Sequence, residues 1–561
     1  MFDYSDATSI FSVFTFENVA MLIVFAAVNT LAMVYLARKF MQIIQQSGYV
    51  NSDYGKWVRR RDNIYVTRLD MIVLLSVLAY LIYSIALSFL DKTVVALTGF
   101  VFYIGFCFYY ILSDFRRKSK SPLVLTTRII RIFITYSIAY FVLSLAILFG
   151  AVAFGYLIKG NDIFMRVRFC VICLSPLLVP VFVRLANAIN APMERANNKK
   201  YVEKCKKTLA EHPDLIKIGI TGSYGKTSVK EILKTLLSEK YSVLSTPLSY
   251  NTPLGICKTV KKLNDSYDVL IAEMGARHEG DIKELCDIVK PDYGIINGIV
   301  EHHMDTFVSL TQIKNTKFEL YGGVRDGGAV IVTVDNENVV SMLDSCKGKE
   351  LVLAGLNLSH KPHVYATDVK VSENGSAFTL HLGDKCVECT TALLGEHNVS
   401  NVLLAAALCD KLGMTADEIS AGIARITPVK HRLEVLKNQN GVTVIDDSYN
   451  SNVDGTRAAI AVLGKFDGRK IIITPGMVEL GRIEDQENFE LGKRLASAVD
   501  IAILVGSHGA YRIRDGLLNS DFALNRIYMA KDLADATAHY AKISQSGDVV
   551  LFENDLPDKF S

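Results

Sequence analysis

The segment Thr221-Gly222-Ser223-Tyr224-Gly225-Lys226-Thr227-Ser228 joins the apolar run Leu215–Ile220 to a stretch with Val229, Ile232 and Leu233 on one helical face. A strand, a Gly-rich turn and a helix opening on Lys-Thr form a cradle for phosphate. Backbone N–H groups and the helix N-terminus hold the anion, the Lys reaches the terminal phosphates, and the Thr hydroxyl ligates Mg²⁺. The spacing departs from G-x-x-x-x-G-K-[ST], because Ile220 stands where the first Gly would fall. Glu273 ends the apolar run Asp268–Met274, where a further Mg²⁺ contact is needed. After the run Tyr293–Ile299 comes Glu301-His302-His303-Met304-Asp305, and Lys317 lies fourteen residues beyond His303. Later stand Gly395-Glu396-His397-Asn398-Val399-Ser400-Asn401, then Arg432, then Asp446-Asp447-Ser448-Tyr449-Asn450-Ser451-Asn452 closing the run Val442–Ile445. His302 alone reads as surface polarity.

Taken in order, these segments resemble the Mur ligases, the ATP-dependent amide-forming enzymes of peptidoglycan synthesis. The Thr-Gly-Ser-x-Gly-Lys-Thr loop and the Asp-Asp-Ser-Tyr-Asn-x-Asn segment are most similar to the branch that adds D-alanyl-D-alanine to the UDP-muramoyl tripeptide. The resemblance covers about 213–561, with seven motifs in family order. It implies ATP and two Mg²⁺ ions. Gly222, Ser223, Gly225, Lys226, Thr227 and Ser228 would hold nucleotide, with Asn398, Asn401, Arg432 and Asp447. Thr227, Glu273, His303 and Lys317 would hold metal, Lys317 as a carbamate. Lys226, His303, Lys317 and Arg432 would carry the catalysis, with Arg432 and Asp447 brought to ATP by closure about a joint near Thr427-Pro428. The chemistry implied is activation of a carboxylate as an acyl phosphate, which an amine then attacks. Two departures concern the substrate. Membrane spans occupy the place of the family's UDP-sugar-binding domain, and Phe552-Glu553-Asn554-Asp555-Leu556-Pro557-Asp558 stands where that branch has a basic Lys-Gly-Ser-Arg segment. Val453 replaces a usual Pro.

The elements that must position these residues begin at about residue 190. The chain has 561 residues, 50% of them hydrophobic, and a mean hydropathy of +0.25, high for a soluble protein of this length. Residues 1–190 carry 18 Lys+Arg against 9 Asp+Glu; the remainder carries 43 against 49. The near-neutral total therefore averages a basic apolar segment and a mildly acidic one. It excludes a uniform soluble enzyme, a disordered chain and a nucleic-acid binder driven by bulk charge. Val19–Ala37, Met71–Leu90, Thr93–Ser113 and Ile132–Ile158 are long enough to cross a bilayer, and Phe169–Val183, with Pro176 and Pro180, is a shorter fifth run. The loops 38–70 and 114–131 are rich in Lys and Arg, which places them in the cytoplasm and the N-terminus outside. An odd number of spans, five, then returns the chain to the cytoplasm.

The resulting expectation is an α-helical membrane domain over 1–190, a polar helical connector over 191–212, and two α/β domains, a P-loop central domain over 213–428 and a Rossmann-like C-terminal domain over 429–561. The protein would be a multi-pass cell-membrane ligase with cytoplasmic catalytic domains. Its partners would be ATP, a carboxylate-bearing cell-wall precursor, an amino acid or dipeptide, and the bilayer, with no nucleic acid. Two other readings stand beside it: a ligase for a different, lipid-linked acceptor, and a membrane ATPase or nucleotide-binding protein that has lost ligation. Lys317 and the two Asn count against the last. Ten scattered Cys fit a reducing cytoplasm, and neither Cys170-x-x-Cys173 nor Cys386-x-x-Cys389 has a second ligand pair.

Overall fold

The computed structural model describes residues 16–59, 63–86, 92–115, 122–157, 172–301, 304, 306–437, 440–449, 452–478, 480–506 and 508–554. The chain divides after Asn197 into two compact units.

The first unit is helical: α1 Phe16–Gln46, α2 Asn51–Val58, α3 Ile64–Ala86, α4 Lys92–Phe115, α5 Thr127–Leu157 and the start of α6, Val179–Ala210. Four stretches are long and apolar enough to cross a membrane, Val19–Gln46, Ile64–Ile82, Thr127–Gly150 and Ser175–Ala210, and Thr98–Ser113 is a shorter apolar helix. The run 169–183 is described from residue 172 on. That part leads into a 32-residue helix, Val179–Ala210, in which Pro180 falls in the first turn, where the missing N–H costs nothing. The segment 191–210 continues that helix. Outward positions stay apolar, as at Ile138, Val142 and Val101. Inside, Asn29 of α1 donates to Ser144 Oγ of α5 (3.0 Å) and accepts from Tyr103 of α4 (2.8 Å), whose hydroxyl also meets Ser175 Oγ at 2.9 Å. All four are buried, and in this cluster each polar side chain has a partner.

The second unit holds two sheets. The first has the order β2-β3-β1-β4-β5-β6-β7-β8-β9, from β1 Ile216–Thr221, β2 Val243–Ser245, β3 Val269–Glu273, β4 Tyr293–Ile296, β5 Ala329–Thr333, β6 Glu350–Ala354, β7 Val364–Ser372, β8 Gly375–Leu382 and β9 Lys385–Thr391. Pairing is parallel from β2 to β7, and the central strands are buried on both faces, as parallel strands must be. From β7 onward it turns antiparallel. There the burial alternates along the strand and the connections are short, which suits hairpins rather than helical crossovers. Cys386 and Cys389 lie on β9, one exposed and one buried, so they do not face a common ligand.

Two helical layers cover this sheet. On one face α7 Lys226–Leu237 packs beside α11 Glu396–Lys411, whose residues Asn398–Cys409 are all buried. On the other lie α8 Pro253–Val260, α9 Asp281–Val289 and α10 Leu310–Gly323. Successive β3 residues explain both layers: Val269 and Ile271 join the first core, Leu270 and Ala272 the second. After α12 Ala416–Ala424 comes the second sheet, order β10-β11-β15-β12-β13-β14, from β10 Glu434–Lys437, β11 Thr443–Asp447, β12 Lys470–Thr474, β13 Ile501–Val505, β14 Ile527–Ala530 and β15 Val549–Glu553. All its pairings are parallel except β10 with β11. The helices α13 Val453–Leu463, α14 Glu484–Leu495, α15 His508–Asn519 and α16 Leu533–Ile543 connect its parallel strands.

Candidate active site

The loop 222–225 leaves the carboxyl end of β1 and opens α7, so it lies in the crevice where open α/β sheets bind ligands. Gly225 caps the helix at φ +71°, and a Cβ there would fall 2.2 Å from Asn297 Nδ2. A side chain is excluded twice, by backbone conformation and by contact. Ser223 donates its N–H to the Gly298 carbonyl (2.8 Å) and its hydroxyl to Val300 O (3.1 Å), tying the loop to the end of β4. Lys226 Nζ donates to the Gly222 and Ser223 carbonyls, at 2.8 and 3.3 Å. It is curled over the cradle without a carboxylate partner of its own among the described residues. Burial depresses its pKa, the Glu273 carboxylate raises it, and the Arg432 guanidinium lowers it further. Ser228 follows, half-buried, in the first turn.

Glu273 ends β3, next to β1, and is almost wholly buried. Its Oε2 accepts from Thr227 Oγ1 at 3.0 Å and from Lys230 Nζ at 3.3 Å, and its Oε1 accepts from Asn251 Nδ2 at 3.1 Å. Lys317, on α10, is also buried. Burial first, and then the nearby Lys226 ammonium, push its pKa down to about 7, against the pull of Asp281 and Glu319. His303 lies outside the described residues.

Asn398 and Asn401, one turn apart on α11, reach the loop through a residue the sequence reading missed. Asn297 Nδ2 donates to Asn401 Oδ1 (2.9 Å), Asn401 Nδ2 to Asn398 Oδ1 (3.2 Å), and Asn398 Nδ2 to the Leu394 carbonyl (2.9 Å). Asn297 directly follows β4, so its place at a strand's carboxyl end was the signal available. Ser400, on the same helix, donates to Asp335, which also accepts the N–H groups of Leu356 and Asn357 at 2.7 and 2.8 Å. His397 is packed against Gly395, and burial holds its pKa down to about 4.

Arg432 and Asp447 come from the second sheet's side. Arg432 stands between two residues at positive φ, His431 (+61°) and Leu433 (+48°), and its guanidinium lies 4.6 Å from the Tyr449 ring centre. The Tyr449 hydroxyl is hydrogen-bonded to that of Ser249. This brings the β11 end onto the loop that follows β2. Asp447 lies among protein partners. It accepts Leu433 N–H at 3.2 Å and shares a hydrogen bond with Glu553, directly opposite in the β11–β15 register. Burial raises the Asp447 pKa to about 6, and Arg432 opposes that rise. Glu553 in turn accepts from Thr456 Oγ1 at 2.7 Å. Of the acidic stretch expected to face substrate, Glu553 is thus buried against Asp447, and Asn554 donates to Gly476 O; 555–558 lie outside the described residues.

The Mur ligase middle domain family matches residues 220–409, and the Mur ligase glutamate ligase domain family matches 431–553. The chain belongs to the Mur ligase family. It is 31% identical over 290 residues to the UDP-N-acetylmuramoyl-tripeptide–D-alanyl-D-alanine ligase of Escherichia coli (strain K12), covering 52% of this chain and 64% of that enzyme. It is 33% identical over 364 residues to the enzyme of the same name from Mycobacterium leprae (strain TN), covering 60% and 70%. Among solved structures, a MurF from Acinetobacter baumannii superposes with TM-score 0.59 at 25% identity, covering 64% of this chain and 78% of that one. The Thermotoga maritima MurF ligase in complex with ADP has the same fold, with TM-score 0.57 at 24% identity, covering 64% and 80%.

Proposed function

We propose that the chain is an ATP-dependent carboxylate–amine ligase of the D-alanyl-D-alanine-adding type, forming ADP and phosphate, and held at the membrane by its N-terminal helices. The observation that carries this reading is the buried Lys317 amine beside Lys226. A nucleotide-binding protein without ligation has no need of a second lysine there. As an ammonium, Lys317 is desolvated and repelled by Lys226. With a pKa near 7, much of it is neutral, and its lone pair can add to the carbon of CO₂ with loss of a proton. The resulting carbamate would be an anion facing Lys226, reversing an unfavourable charge pair into a favourable one.

The residues also fit Mg²⁺. Thr227 and Glu273 offer a hydroxyl and a carboxylate 3.0 Å apart, oxygen donors of the kind hard cations take. Lys317 as a carbamate, and His303, would supply the remainder of the protein's ligands. When bound, the ion neutralises charge on the phosphates and on the acceptor carboxylate. The chain's own groups do the rest. The loop N–H groups orient the phosphates, Lys226 can swing from its carbonyl partners to the γ-phosphate, and Arg432 offers a second cation to the transferring group. Asn398 and Asn401, through Asn297, keep the loop in register. The acceptor carboxylate takes the γ-phosphoryl group, ADP leaves, and the incoming amine displaces phosphate from the acyl carbon.

One variant of this reading has the acceptor carboxylate on a lipid-linked envelope precursor. The deciding assay uses the full chain in a bilayer mimic. ADP release is measured with UDP-muramoyl tripeptide plus D-alanyl-D-alanine, and separately with lipid-linked precursors. Release that stays at the acceptor-free rate with every precursor and amine, while nucleotide still binds, would sink the ligase reading.

A further inference from the structure

We propose that Lys230 is a positioning residue that aims the Glu273 carboxylate for a divalent cation and ties to it the loop after β2. The proposal rests on the reading of Glu273 as a metal ligand given above.

Lys230 lies one turn beyond Lys226, on the face of α7 that otherwise carries Val229, Ile232 and Leu233 into the core. Its side chain has no exposed surface. A lysine there needs partners, because an unmet buried charge is strongly destabilising. The partners are specific: Glu273 Oε2 at 3.3 Å, Glu231 Oε1 at 3.4 Å and the backbone carbonyl of Leu248. The contacts to Glu273 and Leu248 are hydrogen bonds, and Glu231 adds an ion pair.

What these contacts hold is the telling part. Glu273 Oε2 is the oxygen that also accepts from Thr227, so Lys230 and Thr227 together fix one carboxylate oxygen while Asn251 fixes the other. The loop is held as well. Thr246 donates its N–H to Ile271 O (3.0 Å) and receives Glu273 N–H on its hydroxyl (3.1 Å), and the Asn251 carbonyl receives Gly275 N–H (2.9 Å). Between these anchors Leu248 sits at φ +48° with its side chain 76% exposed, and Lys230 grips its carbonyl from beneath. Ser249, the next residue, carries the bond to Tyr449. One buried ammonium therefore joins the carboxylate, the nucleotide helix and the loop that touches the Arg432 segment. Groups that orient a ligand in this way typically affect metal affinity 10–100-fold.

The sign of the effect separates this role from simple electrostatics. Removing a positive charge beside a cation site would tighten metal binding, whereas loosening the carboxylate weakens it. The test uses the full chain in detergent, with Mn²⁺ as a spin probe titrated by electron paramagnetic resonance in the presence of ADP. ADP affinity in EDTA is measured alongside. We expect K230M to weaken Mn²⁺ binding at least tenfold, with metal-free ADP affinity within twofold of wild type. Should K230M melt below the assay temperature, K230Q, which keeps a donor toward Leu248, is read in its place with the same expectation. Mn²⁺ binding that is unchanged or tighter in the folded variant overturns the proposal and leaves the Glu273 reading standing. Wild-type Mn²⁺ affinity in E273Q overturns both.

Discussion

Asp447 gives a sharp test because its two roles pull in opposite directions. Its carboxyl is buried against Glu553 and titrates near 6 instead of the ordinary 3.8. Below pH 4 the proton is bound in both folded and unfolded chains, and the pair costs nothing. Between about 4 and 6 the unfolded chain gives up its proton first, so stability falls as pH rises, and the loss is complete above the folded pKa. A shift from 3.8 to about 6 corresponds to about 3 kcal/mol at neutral pH. Replacing Asp447→Asn removes that cost while keeping a group able to accept Leu433 N–H and to face Glu553. The chain has several domains, so the effect is best read locally, by hydrogen exchange of the β11 and β15 amides corrected for intrinsic rates. At pH 8 those amides should exchange about 100-fold more slowly in D447N than in wild type, and the difference should vanish as the pH is lowered well below 3.8. ADP release should fall in the same variant. Exchange at pH 8 that is equal or faster in D447N would refute the assignment of a desolvation cost to the Asp447 carboxyl.

Four further outcomes follow from the site. Asn297→Ala cuts the link between the nucleotide loop and Asn401 and strands a buried amide, so nucleotide affinity measured by calorimetry should drop about 10–100-fold, the equivalent of an unmet buried hydrogen bond. Lys317→Ala should lower the rate of ADP release by at least about 100-fold, with partial recovery in acetate or propionate; full activity without them would defeat the carbamate proposal. In wild type, activity in CO₂-depleted buffer should recover faster at pH 8 than at pH 6 when both are brought to the same dissolved CO₂, because the neutral amine of Lys317 gains population as pH rises through about 7. Arg432→Lys keeps the charge but not the planar group over Tyr449, and steady-state kinetics should show a fall in kcat with little change in nucleotide binding.

The loop, its flanking strand and helix, and the acidic ends of β3 and β11 were readable because each is a local pattern. An apolar run ending in a polar residue, or a Gly-Lys-Thr at a helix start, needs no knowledge of the fold. Asn297, Lys230 and Glu553 were not read because their meaning lies in register. Asn297 matters through Asn401, 104 positions away, and Glu553 through the parallel pairing of β15 with β11. Lys230 left a trace, a cation on an otherwise apolar helical face. The antiparallel end of the first sheet was missed for a related reason. The expectation of alternating strands and helices carried past β6, although Asn374-Gly375 and Gly383-Asp384 are hairpin signals in their own right. The Pro pair at 176 and 180 suggested a short, broken span, yet a proline in a first turn starts a helix as readily as it ends one.

The three asparagines behind the nucleotide loop form a chain with a direction. Each donates its amide nitrogen to the next oxygen, and the last donates to the Leu394 carbonyl, which can only accept. That carbonyl therefore dictates which way round every amide in the series must point, up to Asn297, whose oxygen is left to accept Gly298 N–H at 2.8 Å. Reversing one amide would set donor against donor throughout. The polarity of the phosphate cradle is thus written by a backbone atom two residues before α11, in a form that carries no charge and so does not answer to pH or salt. A shift of that helix start would be felt at the loop as a change of orientation, without any ion pair being made or broken.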